Sequence, residues 1–164
     1  MPPRPFPIED LAACLPAKGR VIGVDLGTKT IGLALSDVER RIATPLLTIA
    51  RTKFAADAER LIGEIARFDC IALIVGLPLS LDGTEGPRAQ ATRAFVRNFA
   101  AISPTPLAFW DERFSTAAVE RSLIANDVSR ARRAKVIDKM AAAYILQGAL
   151  DRVASIAAHK ADAT

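Results

Sequence analysis

The amino-acid sequence predicts an α/β domain in which one mixed five-stranded sheet is flanked by helices. The length of 164 residues fits a single domain. Hydrophobic residues make up 51% of the chain against 24% charged residues, a balance that supplies a core and excludes wholesale disorder. Apolar runs and helical periodicities follow one another in the order βββαβαβα. Three strands followed by α/β alternation favour one sheet with helices on its faces.

The first half of the chain carries the evidence for four strands and one helix. Short apolar runs at residues 20–24, 30–36 and 43–49 are separated by turns and predict a three-stranded meander. Residues 53–68 have apolar side chains at helical spacing, which predicts an amphipathic helix. Residues 70–75 are apolar at every position, as expected of a central strand covered on both faces.

The second half predicts a fifth strand between helices. Pro87 stands where the first turn of a helix tolerates proline, so a helix is expected over residues 88–101, followed by a strand over 107–110. Ser115 or Thr116 is a suitable cap for a further short helix that ends near residue 125. We expect an Arg-rich connection after it. A long final helix is then predicted over residues 135–157.

The two ends of the chain are predicted to lie outside the domain, which we place at residues 19–158. Residues 1–18 are a Pro-rich arm with one or two possible helical turns at residues 8–15, and we expect this arm to be peripheral. Residues 159–164 form a short tail. The pattern therefore predicts one functional unit with a peripheral arm and tail.

Several classes of protein are excluded by the residues that the sequence lacks. Cys14 and Cys70 do not have the paired spacing of metal ligands, and His159 is the only histidine, so a zinc site or a serine–histidine triad is not expected. The longest apolar run is shorter than the ~20 residues of a membrane helix. Glu9 and Asp10 interrupt the position of a secretory core. A cytoplasmic location without membrane attachment is the expectation.

Acidic side chains occupy positions where an acid is costly or is typical of a binding site. Asp25 follows the first predicted strand, and Asp111 and Glu112 follow the last one, at the strand ends where α/β sheets bind ligands. Asp138 falls on the apolar stripe of the final helix, where a carboxylate is disfavoured unless it is paired or bound to a cation. Each acid also has an ordinary explanation as a turn residue, a helix-dipole partner or a surface ion pair. The presence of all four acids at such positions favours a functional site over these separate explanations.

A cluster of these four carboxylates would suit a hard cation. Mg²⁺ and Mn²⁺ prefer carboxylate and water oxygens, and the sequence offers no histidine or cysteine beside the acids. Two such ions about 3.5–4 Å apart support in-line displacement at a phosphodiester. The acids therefore predict a two-metal nuclease.

Basic residues near these acids are candidates for substrate contacts. The chain has 22 Lys+Arg against 18 Asp+Glu, a net charge of +4 that is typical of a polyanion binder. Lys29 and Arg113 lie beside the strand-end acids, and the segment that ends at Arg88 could accept a phosphate or simply form a surface loop. A basic run precedes Asp138 and could hold a phosphate backbone. The alternative interpretation is a solvent-exposed charged face with no binding role. Its members are Arg130, Arg132, Arg133 and Lys135.

Four segments of the chain resemble, in order and spacing, the YqgF/RuvX family of bacterial proteins. They are VIGVDLGTKTIGLALSD at residues 21–37, IVGLPLSLDGTEGPRAQ at 74–90, DERFST at 111–116 and KVIDKMAAAYIL at 135–146. The resemblance covers about residues 20–150. It implies an RNase H-like fold and a Holliday-junction-resolvase-like nuclease that matures the 5′ end of pre-16S ribosomal RNA.

The same resemblance implies which residues form the acidic site. Asp25, the Asp111/Glu112 pair and Asp138 would be both the catalytic residues and the metal ligands. Many RNase H-like proteins carry an acid on the fourth strand, whereas this strand ends with Val75, Gly76, Leu77 and Pro78. The Asp111/Glu112 pair would have to replace that acid, and the sequence leaves open which of the two faces the metal.

Three functions follow, in order of preference. The first is a Mg²⁺- or Mn²⁺-dependent endonuclease that acts on precursor ribosomal RNA, with a ribosomal partner as one option. The second is a resolvase of branched DNA. This function predicts a dimer because two strands must be cut, whereas the RNA endonuclease is compatible with a monomer or a homodimer. The third is a nucleic-acid-binding module without catalysis. The DLGT string also resembles the phosphate loop of sugar kinases and related ATPases, but those require a second domain that 164 residues do not accommodate.

Overall fold

The computed structural model describes residues 5–113 and 129–164, and within the latter range it leaves the side chains of residues 130–139 undescribed. The strands are β1 (Pro5–Phe6), β2 (Arg20–Leu26), β3 (Thr30–Ser36), β4 (Ala43–Ala50), β5 (Cys70–Leu77) and β6 (Leu107–Asp111). The helices are α1 (Ile8–Cys14), α2 (Phe54–Arg67), α3 (Pro87–Ala100) and α4 (Arg130–Asp162). The short helix predicted to end near residue 125 lies outside the described residues.

The sheet is mixed, as the order of elements predicts. Its strand order is β1-β6-β5-β2-β3-β4. The antiparallel meander of β2, β3 and β4 continues into parallel pairing of β2 with β5 and of β5 with β6. β2 therefore lies in the middle of the sheet, next to β5, and the carboxyl ends of β2, β5 and β6 share one edge.

A sixth strand comes from the N-terminal arm, where the sequence predicts five strands and a peripheral arm. Pro5 and Phe6 pair in parallel with the start of β6. In α1, Leu11 is completely buried and Ile8 is 8% exposed. These side chains join the core cluster beside α4. The expectation of a peripheral arm is wrong because two apolar residues three positions apart give even this short helix a face to bury.

The strands that lead to the predicted acids are longer than their apolar runs. Asp25 is still within β2, where it pairs with Gly32 of β3, and Leu77 of β5 pairs with Asp111 of β6. Backbone hydrogen bonds continue the ladder irrespective of side-chain polarity. The final helix is also longer, because it begins at Arg130, so the predicted Arg-rich connection is helical instead.

Each face of the sheet carries its own core. α2 and α3 cover one face with Leu61, Phe95 and Phe99, and α1 and α4 cover the other. Small residues let α4 approach the second face closely: a Cβ added at Gly23 would lie 2.7 Å from the Leu146 Cβ. Within the described part of the chain, no helix is long and apolar enough to cross a membrane.

Candidate active site

Strand alternation places two of the predicted acids on the same face of the sheet. Val21 of β2 belongs to the core cluster beneath α4, and Asp25, four residues on, lies on the same side because successive side chains alternate. On β6, Trp110 packs against Gly148 of α4. Glu112, two residues further, returns to that side. Asp25 and Glu112 therefore both lie on the α4 side at the carboxyl edge of the sheet.

The Glu112 carboxylate lies over Gly76, near the end of β5. A Cβ added at Gly76 would be 2.5 Å from Glu112 Oε2 and 2.5 Å from the Ile145 Cδ1 of α4. The Glu112 backbone N–H donates to the Leu77 carbonyl oxygen at 3.3 Å, which fixes the residue beside β5. A glycine thus opens the space that a carboxylate from the neighbouring strand occupies.

The surroundings of Glu112 disfavour its charged form. Burial raises the pKa of Glu112, the negative charges of Asp25 and Asp111 raise it further, and Arg88 partly opposes them, so that the pKa is about 7. Asp25 is partly buried. Two carboxylates that repel each other at the edge of an apolar core are an arrangement that a bound cation would stabilise.

Asp111 is directed to a different partner. Its Oδ2 accepts hydrogen bonds from Arg113 Nε at 2.8 Å and Arg113 Nη2 at 2.6 Å, and its Oδ1 accepts from the Arg113 backbone N–H at 3.0 Å. Partial burial acts to raise the pKa of Asp111, but the hydrogen bonds and charge of Arg113 outweigh it and lower the pKa. The two neighbouring acids are therefore distinct in environment: Glu112 is half-buried near Asp25, and Asp111 is hydrogen-bonded to a guanidinium.

The fourth predicted acid lies on the helix that covers this face. Asp138 is in the helical part of α4, one turn before Ala142 and two turns before Ile145, both buried against the sheet. Its side chain is not among those described. Among the described side chains, no three of the types His, Cys, Asp and Glu converge into a metal site, so Asp25 and Glu112 form a pair to which Asp138 is the predicted addition.

The predicted substrate contacts lie near this edge or on α4. Lys29 is exposed in the turn between β2 and β3. Arg113 lies beside the turn after β5, since its Nη1 would be 3.5 Å from a Cβ added at Gly83. The four cations of the basic run occupy the first turns of α4, and their side chains are not described. They are Arg130, Arg132, Arg133 and Lys135.

The loop between β5 and α3 is a closed turn. Leu79 and Glu85 form an isolated antiparallel bridge. Within it, the Asp82 carboxylate accepts hydrogen bonds from the Thr84 hydroxyl at 2.7 Å and the Thr84 backbone N–H at 3.0 Å, which lower the pKa of Asp82. Gly83 has φ +86°, a conformation that favours glycine. This turn leads the chain to Arg88 beside the acids.

Two arginines near the acids were not predicted as substrate contacts. Arg51 follows β4 and donates to the Gly27 carbonyl oxygen at 2.7 Å, and Arg88 donates to the Leu26 carbonyl oxygen at 3.4 Å. Arg88 lies within one of the segments that carry the family resemblance, residues 74–90, so a signal for it was present. Arg51 belongs to no motif, and only the fold brings it to the end of β2.

Comparison with known proteins identifies close relatives over nearly the whole chain. The family model RuvX, described as a Holliday junction resolvase, matches residues 19–152. A protein of Methylocella silvestris named "Putative pre-16S rRNA nuclease" is 65% identical over 92% of this chain and 94% of its own length. A Rhodopseudomonas palustris protein of the same name is 58% identical over 95% of this chain and 98% of its own length.

Comparison of structures finds the same fold in proteins of low sequence identity. T. thermophilus RuvC, solved in complex with a Holliday junction substrate, has a TM-score of 0.54 and 17% identity over 84% of this chain and 97% of its own. The yeast mitochondrial Holliday junction resolvase Ydc2 has a TM-score of 0.53 and 13% identity over 92% of this chain and 85% of its own. At these identities the likeness establishes the RNase H-like fold alone.

Proposed function

Because this chain belongs to the RuvX family, we propose that it is a divalent-metal-dependent endonuclease whose substrate is the 5′ end of precursor 16S ribosomal RNA. The family model and the curated relatives support a nuclease of the resolvase-like class. The observation that carries the proposal is the pair formed by Glu112 and Asp25. It brings two acids from separate strands to the carboxyl edge of the sheet.

The residues at this edge fit a hard cation. The donors are carboxylate oxygens, and the repulsion between Asp25 and Glu112 that raises the pKa of Glu112 is the kind that a divalent ion relieves. We propose that Asp25, Glu112 and Asp138 hold Mg²⁺ or Mn²⁺, two ions in the complete site. When bound, such ions activate a water and stabilise the leaving oxygen of a phosphodiester.

The remaining predicted residues orient the substrate. Asp111 holds the Arg113 guanidinium through two side-chain hydrogen bonds, and that ordered cation is placed to meet a phosphate. Lys29 and the cations in the first turns of α4 would contact the nucleic-acid backbone through charge alone. We propose that this binding is independent of sequence and weakens with salt.

The direct test is cleavage of precursor 16S RNA by variants that keep the shape of each acid. D25N and E112Q should lower kcat by at least roughly a hundredfold while retaining binding, since each removes one charge from the metal site. E39Q is the matched control: Glu39 is an exposed acid in the turn at the other end of β3. Full activity of both D25N and E112Q would contradict the proposed site.

A second substrate, branched DNA, is favoured by the description of the family model and by the fold shared with RuvC. A four-way junction assayed beside the precursor RNA under the same metal conditions decides between them. Preference for the junction, together with a dimer in solution, would replace RNA as the substrate. Salt-sensitive binding with no metal-dependent cleavage of either substrate would indicate that the protein is a nucleic-acid-binding module without catalysis.

Two further expectations follow from the RNA substrate. Precursor ribosomal RNA is processed where ribosomes are assembled, so we propose a cytoplasmic location. A ribosomal partner that presents the 5′ end would add binding surface to a site whose described contacts are few. Addition of assembling small-subunit particles should then raise cleavage above that of naked RNA, whereas equal rates would argue against a partner.

A further inference from the structure

A small cleft opens beside the end of β2, next to the acidic pair. It has a volume of about 30 Å³ and is bordered by Gly27 and Thr28 of the turn after β2, by Arg51, and by Arg88 and Thr92 of α3. About 10–15 Å³ is the space that one water requires, so the cleft admits the oxygens of a small anion and excludes a nucleobase. Its borders combine two arginines and two threonines with the apolar side chains of Leu26 and Ala91.

Arg51 is held in place from three directions. Its Nη1 donates to the Gly27 carbonyl oxygen at 2.7 Å, and its guanidinium lies 5.9 Å from the centroid of the Phe95 ring. Its backbone N–H donates to the Lys29 carbonyl oxygen at 2.9 Å. A guanidinium fixed in this way loses little further freedom on binding an anion.

Arg88 closes the other side of the cleft. It is the second residue of α3, and its Nη2 donates to the Leu26 carbonyl oxygen at 3.4 Å, a contact at the limit of hydrogen-bond length. Its charge also acts on Glu112, so Arg88 lies near the acidic pair as well as at the cleft. Among the described residues, no side chain caps the amino end of α3, which leaves a second source of positive potential at this position.

No salt bridge to Arg51 or Arg88 is found within the part of the chain that the structure describes. The salt bridges found there involve other arginines, and Glu112 is an acid whose charge acts on Arg88. Two guanidiniums around an opening of phosphate size form a pattern that recognises a phosphate group.

We propose that the cleft between Arg51 and Arg88 binds a backbone phosphate of the nucleic-acid strand, next to the bond that the acidic site cuts. The inference rests on the proposed nuclease function and extends it by a binding site on the opposite side of β2 from α4. Because the cleft excludes bases, it holds the strand without reading its sequence. It would therefore fix the position of the strand relative to Asp25 and Glu112.

The test is the salt dependence of binding, measured with the full chain and a single-stranded or junction oligonucleotide in EDTA so that no cleavage occurs. Each phosphate contact contributes about 0.7–0.9 to the slope of log affinity against log salt. When the salt concentration is raised from about 50 to 200 mM, the affinity of R88A for the oligonucleotide should therefore fall by a factor roughly threefold smaller than that of wild type. R97A is the matched control, because Arg97 is an exposed arginine nine residues further along the same helix, about 13 Å from Arg88.

R88K separates the charge from the shape of the guanidinium. It should restore the salt slope, while leaving affinity below that of wild type because an ammonium cannot bind a phosphate bidentately. R51A tests the other side of the cleft, with its free energy of unfolding measured alongside because Arg51 also packs on Phe95. An unchanged slope in R88A, equal to that of R97A, would overturn the inference.

The inference and the proposed function fail in different ways. If D25N and E112Q abolish cleavage but R88A binds with the wild-type salt slope, the nuclease stands and the phosphate site is wrong. If the wild-type protein cuts neither precursor RNA nor a junction, the nuclease is wrong, and a reduced slope in R88A still supports a phosphate site in a binding module.

Discussion

The carboxylate of Glu112 fills the space above Gly76 that any larger residue would need for its own side chain. This relationship between two adjacent strands means that the position of the acid depends on a residue that contributes no chemistry. It also couples the acid to α4, since Ile145 borders the same space. Stability and activity should therefore both respond to a substitution at this glycine.

We expect G76A to impair both properties. The added Cβ would lie 2.5 Å from both Glu112 Oε2 and Ile145 Cδ1, so the acid or the helix must move, at a cost of about 1–3 kcal/mol in the free energy of unfolding. G63A is the control, because nothing lies within 4 Å of a Cβ added at Gly63 in α2; it should stabilise by about 0.5–1 kcal/mol. Urea unfolding and cleavage assays of both variants measure the effect, and a fully active G76A of wild-type stability would refute it.

The stability of the metal-free protein should fall as the pH rises from about 5 to 8. The pKa of Glu112 is raised from 4.5 to about 7 in the folded protein, so over this interval the folded state binds more protons than the unfolded state. The stabilisation is complete below the unfolded pKa and is lost as the pH passes the folded pKa, a difference of up to about 3 kcal/mol. Urea unfolding of wild type and E112Q in EDTA tests this, and an equal pH slope in the two proteins would exclude Glu112 as the source.

Metal affinity should have the opposite dependence on pH. A carboxylate must be ionised to bind a cation, so one proton is released from Glu112 for each binding event below its pKa of about 7. The Mn²⁺ affinity should rise about tenfold per pH unit from about pH 5 to 6.5 and then level off. Calorimetry in buffers of different ionisation enthalpy counts the protons. An affinity independent of pH would mean that Glu112 is not a ligand.

The neighbouring acids should differ in their contribution to cleavage. Asp111 holds Arg113, whereas Glu112 lies beside Asp25. D111N should therefore lower kcat by about tenfold or less, through a loosened Arg113, while E112Q loses roughly a hundredfold or more. Single-turnover rates at saturating metal provide the comparison. The reverse order would assign the metal to Asp111.

The N-terminal arm should contribute to global stability. Leu11 is completely buried in the core beside α4, so L11A should cost about 2–5 kcal/mol. C14A changes an exposed residue of the same helix and should have little effect. Thermal unfolding of the two variants distinguishes them. An unchanged unfolding midpoint for L11A would mean that the arm does not contribute to the stability of the core.

The elements of the fold were predictable because their signals are local. The apolar runs located the five main strands, and helical spacing located α2 and α3. The predicted end of β2, at residue 24, was too early. Side-chain polarity does not determine backbone pairing, and this pairing continues to Leu26. The burial of Leu11 was missed because a short helix in a Pro-rich arm has no strong pattern of its own.

The residue types of the proposed site come from the sequence, whereas the relative positions of these residues depend on the fold. Alternation along β6 separates Asp111 from Glu112, but which of the two meets Asp25 depends on which face α4 covers, and that is a tertiary fact. The sequence shows only that residues 75–78 include no acid, whereas the structure shows that Gly76 leaves space for the carboxylate of Glu112. Arg51 had no signal because only the meander brings the end of β4 to the start of β3.

Glycines allow α4 to approach the sheet closely at several points, with Gly23 and Gly76 beneath the helix and Gly148 on the helix against Trp110. At these points the side chain of one element packs directly on the glycine main chain of the other, with no Cβ between them. The strand acids consequently lie beneath a helix that packs directly on the sheet. Heat should inactivate such a site only when the core itself melts, so the midpoints of activity loss and unfolding should coincide.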